Sequence, residues 1–319
     1  MNSLTLWQFI FRQLEKKEPV ILLLVLESKG SSPGRQGFKM AITKDEMNGY
    51  VGGGIMEHKF VELAREKLAE VIVESQVKKQ FHSKSARHSQ SGMICSGEQS
   101  IFLYRLNESD QPTVAKLVTS LLQQQNGTLT IRRSGIQFSN EIPEENFYFN
   151  MQTEDDWIYI EKSGYKNQLH IIGGGHCSLA FSKIMSGMDF YITLYEDRNE
   201  LNTFTSNSFV NKKIIVDDYS KLSQLIPSGK NQYVVIMTFG YRTDDIALRA
   251  LIKHDFKYLG VLGSKSKMEQ LFNEWHNDGI STSRLKNINA PIGIQIKSQT
   301  PEEIAVSIAA EIILVKNAE

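Results

Sequence analysis

The 319-residue sequence predicts an α/β protein, with a doubly wound parallel sheet in its C-terminal part and a separate N-terminal α/β (α+β) domain. Three observations carry this expectation. Past residue 167, short apolar runs alternate with segments of helical period, as in βα units of a parallel sheet. One of those runs passes through a glycine turn straight into a helix, at residues 171–178. Before residue 110 the pattern is irregular, with one apolar run, 20–26, set among loops dense in Gly, Ser and Pro. At roughly 150 residues per domain the length fits two domains. They are expected at 1–110 and 167–319, with a β-rich connecting segment at 111–166.

The elements follow in order. Leu6, Phe9, Ile10 and Leu14 fall on one face of an N-terminal helix. The continuous apolar run 20–26 reads as a strand buried on both faces. A strand at 38–43 follows, then a tight turn at Asn48-Gly49. Gly52-Gly53-Gly54 opens a helix marked by Met56, Phe60, Leu63, Ala64 and Leu68. A strand at 101–104 comes just after the loop around Cys95. Residues 110–125 read as a helix, and 127–164 as strands with turn signals at Ser134-Gly135 and Ser163-Gly164. In the C-terminal part, strands are expected at 169–172, 190–195, 214–216, 233–237 and 258–262, and helices at 179–185, 246–251 and 268–275. Thr300-Pro301-Glu302-Glu303 is a capping box with proline in the first turn, and it opens a largely apolar final helix.

Composition narrows the function. The chain carries 36 Lys+Arg and 36 Asp+Glu, so no basic surplus exists to neutralise a nucleic-acid backbone. No apolar run approaches the ~20 residues of a membrane span, and the N-terminus lacks the basic start of a signal peptide. Cys95 and Cys177 are the only cysteines, which excludes a disulfide framework and fits a reduced, cytoplasmic setting. The seven histidines form no metal set: His82 and His88 lie in a Ser-rich stretch, and His254 and His276 are expected singly on helices.

Four segments carry candidate chemistry. In Gly173-Gly174-Gly175-His176-Cys177-Ser178, Gly173 permits a tight turn and Gly175 lets a phosphate reach the helix N-terminus. Ser178 takes the third small position, and Glu196-Asp197 stands where an acid would meet a ribose hydroxyl. Together these read as a Rossmann-like nucleotide site. Gly263-Ser264-Lys265, ahead of another helix, offers a second place for an anionic oxygen or a simple helix cap. Gly52-Gly53-Gly54 marks positive φ or a close approach to the backbone. Cys95, among small residues, is either an accessible thiol for a soft metal or a small buried hydrophobe. A Rossmann-like domain leaves an NAD(P)-dependent oxidoreductase as an alternative, although no acid–base pair for hydride transfer accompanies the glycine turn.

In combination these blocks resemble the XdhC/CoxI family. Residues 27–37 resemble its T-x-G-S-x-P-R-x-x-G stretch, with Gly34 added between Pro33 and Arg35. Gly52-Gly53-Gly54-Ile55-Met56-Glu57 is similar to G-G-G-x-L-E, and Cys95-Ser96-Gly97 to Cys-Gly-Gly. Gly173-Gly174-Gly175-His176 resembles G-A-G-H, and Glu196-Asp197-Arg198 resembles D-D-R. Residues 258–267 are similar to Y-I-G-x-L-G-S-R-R-K, and residues 290–294 with 300–308 form the most specific match. The sequence departs from the family at Phe239, where Thr-His is usual, and at Ser96 and Ser178, where glycine is usual. The resemblance implies a maturation factor that binds the molybdenum cofactor (molybdopterin, or its nucleotide form). It would present the cofactor to a cysteine desulfurase and deliver it to a xanthine dehydrogenase-like molybdenum hydroxylase. It also implies a homodimer, with the phosphate end of the cofactor at the Gly173 and Gly263 loops and the metal at Cys95. Two cysteines cannot supply the four thiolates of an iron–sulfur centre, so the chain is not expected to be the hydroxylase itself.

Overall fold

The computed structural model describes residues 3–70, 75–81, 97–280 and 282–318. The chain divides into two compact units, Met1–Gly164 and Tyr165–Glu319. The first contains α1 (Ser3–Glu15), β1 (Val20–Gly30), β2 (Lys39–Ile42), β3 (Met47–Gly49), α2 (Gly54–Leu68), β4 (Gln76–Phe81) and β5 (Gly97–Leu106). It continues with α3 (Gln111–Leu122), β6 (Gly127–Arg132), β7 (Gly135–Ser139), β8 (Phe147–Met151) and β9 (Trp157–Ser163). These strands form two antiparallel sheets, ordered β3-β2-β1-β5-β4 and β7-β6-β9-β8.

The run 20–26 is apolar throughout because β1 is central and covered on both faces. Side chains alternate along a strand. Leu22, Leu24 and Leu26 therefore join a core with α1, α3 and the second sheet, while Ile21, Leu23 and Val25 pack with Met56, Phe60 and Ala64 of α2. The Asn48-Gly49 expectation fails. Those residues sit in β3, Gly49 opposite Met40, and the reversal lies earlier, where Thr43 N–H donates to Glu46 O at 2.9 Å. The side chain of Thr43 also accepts from Glu46 N–H at 3.0 Å, so a Thr turn supplies the reversal that an Asn-Gly pair was expected to supply.

The second unit begins with β10 (Asn167–Ile172), α4 (His176–Met185), β11 (Phe190–Glu196), α5 (Asn202–Thr205), β12 (Lys212–Ile215) and α6 (Leu222–Leu225). It closes with β13 (Gly229–Ile236), α7 (Tyr241–Leu251), β14 (Phe256–Val261), α8 (Lys265–Asn277), α9 (Thr282–Leu285) and α10 (Pro301–Asn317). All strand pairs are parallel, in the order β12-β11-β10-β13-β14. Phe181 and Met185 of α4 share one face of the sheet with Ala305, Ile308 and Ile312 of α10. Leu248 of α7 and Leu271 and Trp275 of α8 cover the other. This is the doubly wound Rossmann arrangement, and its crossovers reverse direction between β10 and β13, the place where such sheets open a crevice. The final capping box is formed: Thr300 Oγ1 accepts from Glu303 N–H at 3.2 Å, and Glu303 accepts from Thr300 N–H at 3.1 Å. His254, expected on a helix, lies past the end of α7. Among the described residues no helix is long and apolar enough to cross a membrane.

A buried ion pair ties the two sheets of the first unit together. Lys39 of β2 and Glu161 of β9 are both nearly sequestered and in direct contact. Lys39 also donates to Gly37 O at 2.9 Å, and Tyr159 OH donates to Glu161 at 2.9 Å. Removing one partner of such a pair leaves a bare buried charge, at about 3–5 kcal/mol. Lys39→Met is therefore expected to lower the urea-unfolding free energy by that amount, and Lys39→Met/Glu161→Met to recover part of it. Wild-type stability for the single variant would contradict the assignment.

Candidate functional site

The crevice of the second unit is built on the turn between β10 and α4. Gly173 adopts φ +102°, and a Cβ there would come within 2.4 Å of Met237 O, so the turn is pressed against the chain leaving β13. Gly174 donates its N–H to Glu196 Oε2 at 2.6 Å, and its carbonyl accepts from Thr203 Oγ1 at 2.6 Å. At Gly175 the surroundings change: a Cβ would meet nothing within 4 Å. No side chain caps α4, which starts at the exposed His176. Helix N-termini carry unpaired N–H groups and about half a positive charge, so this end of α4 is open to an anion.

Glu196, at the end of β11, is fully buried. Its Oε2 accepts from Gly174 N–H and from Arg198 Nη2 at 3.2 Å. Its Oε1 accepts from Asp197 N–H at 3.2 Å, Arg198 N–H at 3.2 Å and Arg198 Nε at 2.7 Å. Five donors fill the roughly four lone-pair sites of a carboxylate. Burial alone would push this carboxyl up, but the hydrogen bonds from Arg198, Asp197 and Gly174 outweigh it and hold the pKa at about 2. The neighbouring Asp197, exposed and touched by Tyr219 OH at 3.3 Å, is shifted upward by burial and by the Glu196 charge. Ser178, in the first turn of α4, is completely buried, and its hydroxyl has no hydrogen-bond partner. Cys177 is half-buried, and burial followed by the Glu302 charge pushes its thiol up, away from thiolate character.

The other two loops at this sheet edge are already committed. Asp244, buried in the first turn of α7, accepts from Thr238 N–H at 3.0 Å and from Thr238 Oγ1 at 2.6 Å. Lys267 Nζ donates to the second Asp244 oxygen at 2.5 Å, which joins α8 to α7. Ser264 Oγ accepts from Lys267 N–H at 3.2 Å, so Ser264 is the N-cap of α8. Gly263 packs against Met268 and Lys267. Lys265 is 84% exposed and lies 3.9 Å from Glu269. Sequence reasoning singled out Lys265 and missed Asp244 and Lys267. Only their positions in helical first turns hinted at them, because the ion pair joins residues 23 apart in sequence. It also gave no role to Phe239, which projects from the loop after β13 at 88% exposure, with the Arg198 guanidinium 5.4 Å from its ring centre.

In the first unit, the loop of residues 31–37 and the Gly52-Gly53-Gly54 loop meet. A Cβ on Gly34 would lie 2.3 Å from Val51 O, and one on Gly52 would lie 2.7 Å from Gly34 N. Glu57 Oε2 accepts from Val51 N–H at 2.8 Å and Gly53 N–H at 3.0 Å, which fixes the turn ahead of α2. Gly53 itself faces open space. Gly97 lies against Ser31 and Ser32, where a Cβ would be 2.6 Å from Ser32 N. Cys95 and Ser96 lie outside the described residues, as do His82 and His88. No group of three or more His, Cys, Asp or Glu side chains able to hold a metal occurs among the described residues.

These contacts set the response of the site to pH and to substitution. Glu196 has a folded pKa below the ordinary 4.5, so its stabilisation is complete above about pH 4.5 and is lost as the pH falls through about 2. Glu196→Gln is expected to cost about 2–3 kcal/mol at pH 7, and urea-unfolding curves of the two proteins should converge toward pH 2. A constant gap across that range would remove Glu196 as the anchor. Gly173→Ala should destabilise by about 1–3 kcal/mol through positive φ and collision with Met237. Gly175→Ala, at φ −73° in open space, should leave the unfolding midpoint unchanged.

Comparison with known proteins agrees with this architecture. The family model described as the XdhC Rossmann domain matches residues 169–312, and that of the XdhC and CoxI family matches residues 13–74. The uncharacterized protein YqeB of Escherichia coli (strain K12) is 23% identical over 97% of this chain, which spans only 46% of YqeB. A probable xanthine dehydrogenase subunit of Bacillus subtilis (strain 168) is 21% identical, covering 94% of each chain. The crystal structure of a xanthine dehydrogenase from Bacillus halodurans shares the fold, with a TM-score of 0.71, 19% identity, and coverage of 97% of this chain and 95% of that one. With one of the two models on each unit, the chain belongs to the XdhC/CoxI family.

Proposed function

We propose that the protein is a maturation factor that binds the molybdenum cofactor and delivers it to a xanthine dehydrogenase-type molybdenum hydroxylase. One observation carries this reading: α4 begins at the crevice of the doubly wound sheet with no side-chain cap, behind a Gly175 that leaves its approach open. The corresponding end of α8 is capped by Ser264, and the first turn of α7 carries the acid Asp244. Of these three helices α4 has neither a side-chain cap nor a first-turn acid, which suits a phosphate-bearing ligand. Family membership and a relative named as a probable xanthine dehydrogenase component support the choice of cofactor.

In this reading the first-turn amides of α4 hold the phosphate, His176 borders it, and Glu196 and Arg198 keep the turn in place. Lys265 adds an exposed positive charge in the same unit. When bound, the cofactor supplies a soft, dithiolene-held molybdenum, and Cys95 is the chain's own candidate thiolate for it. The Gly52-Gly53-Gly54 turn is fixed by Glu57 and packs on the Gly34 loop, whose neighbouring Ser31 and Ser32 support Gly97. Presentation to a cysteine desulfurase and action as a cytoplasmic homodimer belong to the same proposal. An NAD(P)-dependent oxidoreductase would use the same glycine turn. However, a dinucleotide's ribose is ordinarily read by the acid ending the second strand, and the five donors on Glu196 leave it no lone pair for that task.

Protein purified from a host that makes molybdopterin is expected to release a fluorescent oxidised pterin after acid and iodine treatment, with matching mass spectra. Gly175→Glu and Cys95→Ala should each lower the yield at least tenfold with unfolding midpoints preserved. Preparations that carry no pterin, or that bind NAD tightly instead, would overturn the proposal.

A further inference from the structure

Phe239 is the most exposed of the large apolar side chains at the crevice, at 88%, and the fold gives it no packing role. Its loop is nonetheless firmly held. Thr238, the residue before it, is bound through both its N–H and its hydroxyl to buried Asp244, and its Cα lies where a Cβ on Gly173 would collide at 2.7 Å. Arg198 approaches the ring from the other side of the crevice, 5.4 Å from the ring centre, and its guanidinium is held in place by Nε and Nη2 bonds to Glu196. Between these two flat groups and the open end of α4 the backbone stands clear. A Cβ at Gly175 or at Gly240 would meet nothing within 4 Å. A surface cation–π contact contributes only about 0.5–1 kcal/mol, too little to account for a phenyl ring left in water at a rigid position.

We infer that Phe239, backed on one face by Arg198, offers its other face as a stacking clamp for the flat heterocycle of a phosphate-bearing ligand whose phosphate sits at the Gly175 end of α4. The inference rests on the phosphate site proposed above and extends it to a specificity element. Arg198 reaches over the ring from the end of β11, and Phe239 from the end of β13, so a ring entering the crevice exchanges a solvent-exposed phenyl face for a stacked one. A phenyl plane accepts any aromatic base and reads no hydrogen-bonding edge. The clamp therefore selects for a fused, flat ring over a bare sugar phosphate, and for purine-sized rings over pyrimidines.

Binding is measured by calorimetry on the full chain with AMP, CMP, ribose 5-phosphate and inorganic phosphate as probes. AMP is expected to bind about tenfold or more tighter than ribose 5-phosphate, the gain usual for one stacked base, with CMP between them. In Phe239→Ala the ratio should collapse toward one, with the thermal midpoint preserved. Phe239→Trp should keep the ratio, and its added indole emission should be quenched by AMP and not by ribose 5-phosphate. Equal binding of AMP and ribose 5-phosphate by the wild type, or an unchanged ratio in Phe239→Ala, would overturn the clamp and leave the phosphate site standing. Failure of all four probes to bind would overturn both.

Discussion

A single buried carboxylate organises the crevice of the second unit. Glu196 ends β11 with no solvent contact, and it collects the Gly174 amide, the Asp197 and Arg198 amides and the Arg198 side chain. A buried ionised carboxylate is costly unless each lone pair is used, and here each is. The same bonds lock the glycine turn to the neighbouring strand and hold the guanidinium of Arg198 against the crevice. The turn cannot relax without uncovering a charge, so α4 begins at a fixed place. The rest of the site takes its position from that anchor.

The first unit solves the same problem in the same way. Glu57 reaches back from the first turn of α2 to the amides of Val51 and Gly53, as Glu196 reaches across to Gly174. In both cases a glycine run leaves the chain without side chains to fix its course, and an acid supplies the constraint. The two solutions differ in what they leave over. Glu57 stands in the first turn of α2 itself, whereas Glu196 comes from the neighbouring strand and leaves the first turn of α4 with neither acid nor cap. Asp244 follows the first pattern at α7, where it binds Thr238 and balances its charge with Lys267. Of these turns, the one before α4 is therefore the one whose helix has no acid in its first turn.

The parts legible in the sequence were those set by local rules. Strand and helix alternation beyond residue 167 gave the parallel sheet, because its strands and longer helices have clean periods, several of them bounded by glycine, serine or proline. Thr300 and Glu303 announced their capping box for the same reason. The reversal at Thr43–Glu46 was missed because Asn48-Gly49 carries the stronger turn signal, while pairing with β2 pulls it into a strand. Glycines 173 and 175 were legible as a tight bend and an open approach, but the contact that separates them was not. One is crowded by Met237 and the other faces open space, and that difference depends on a strand more than 50 residues away. The hydrogen-bond partners of Glu196 and Ser264 were hidden for the same reason. An acid at a strand end looks like a ligand for sugar, and a serine before a helix looks like an anion donor, until their partners are known.

Charge at the crevice also separates local from global balance. The chain as a whole has equal numbers of acidic and basic residues, and near the turn Glu196 and Arg198 cancel, leaving Asp197. By simple Coulomb reasoning that residual charge should repel a phosphate. It stands exposed, however, where dissolved salt screens it over about 10 Å. The α4 amides act at contact distance, with about half a unit of positive charge and fixed direction. Affinity at such a site depends on amide position far more than on net charge. The 2.6 Å bond from Gly174 N–H to Glu196 holds the turn, and with it the position of those amides.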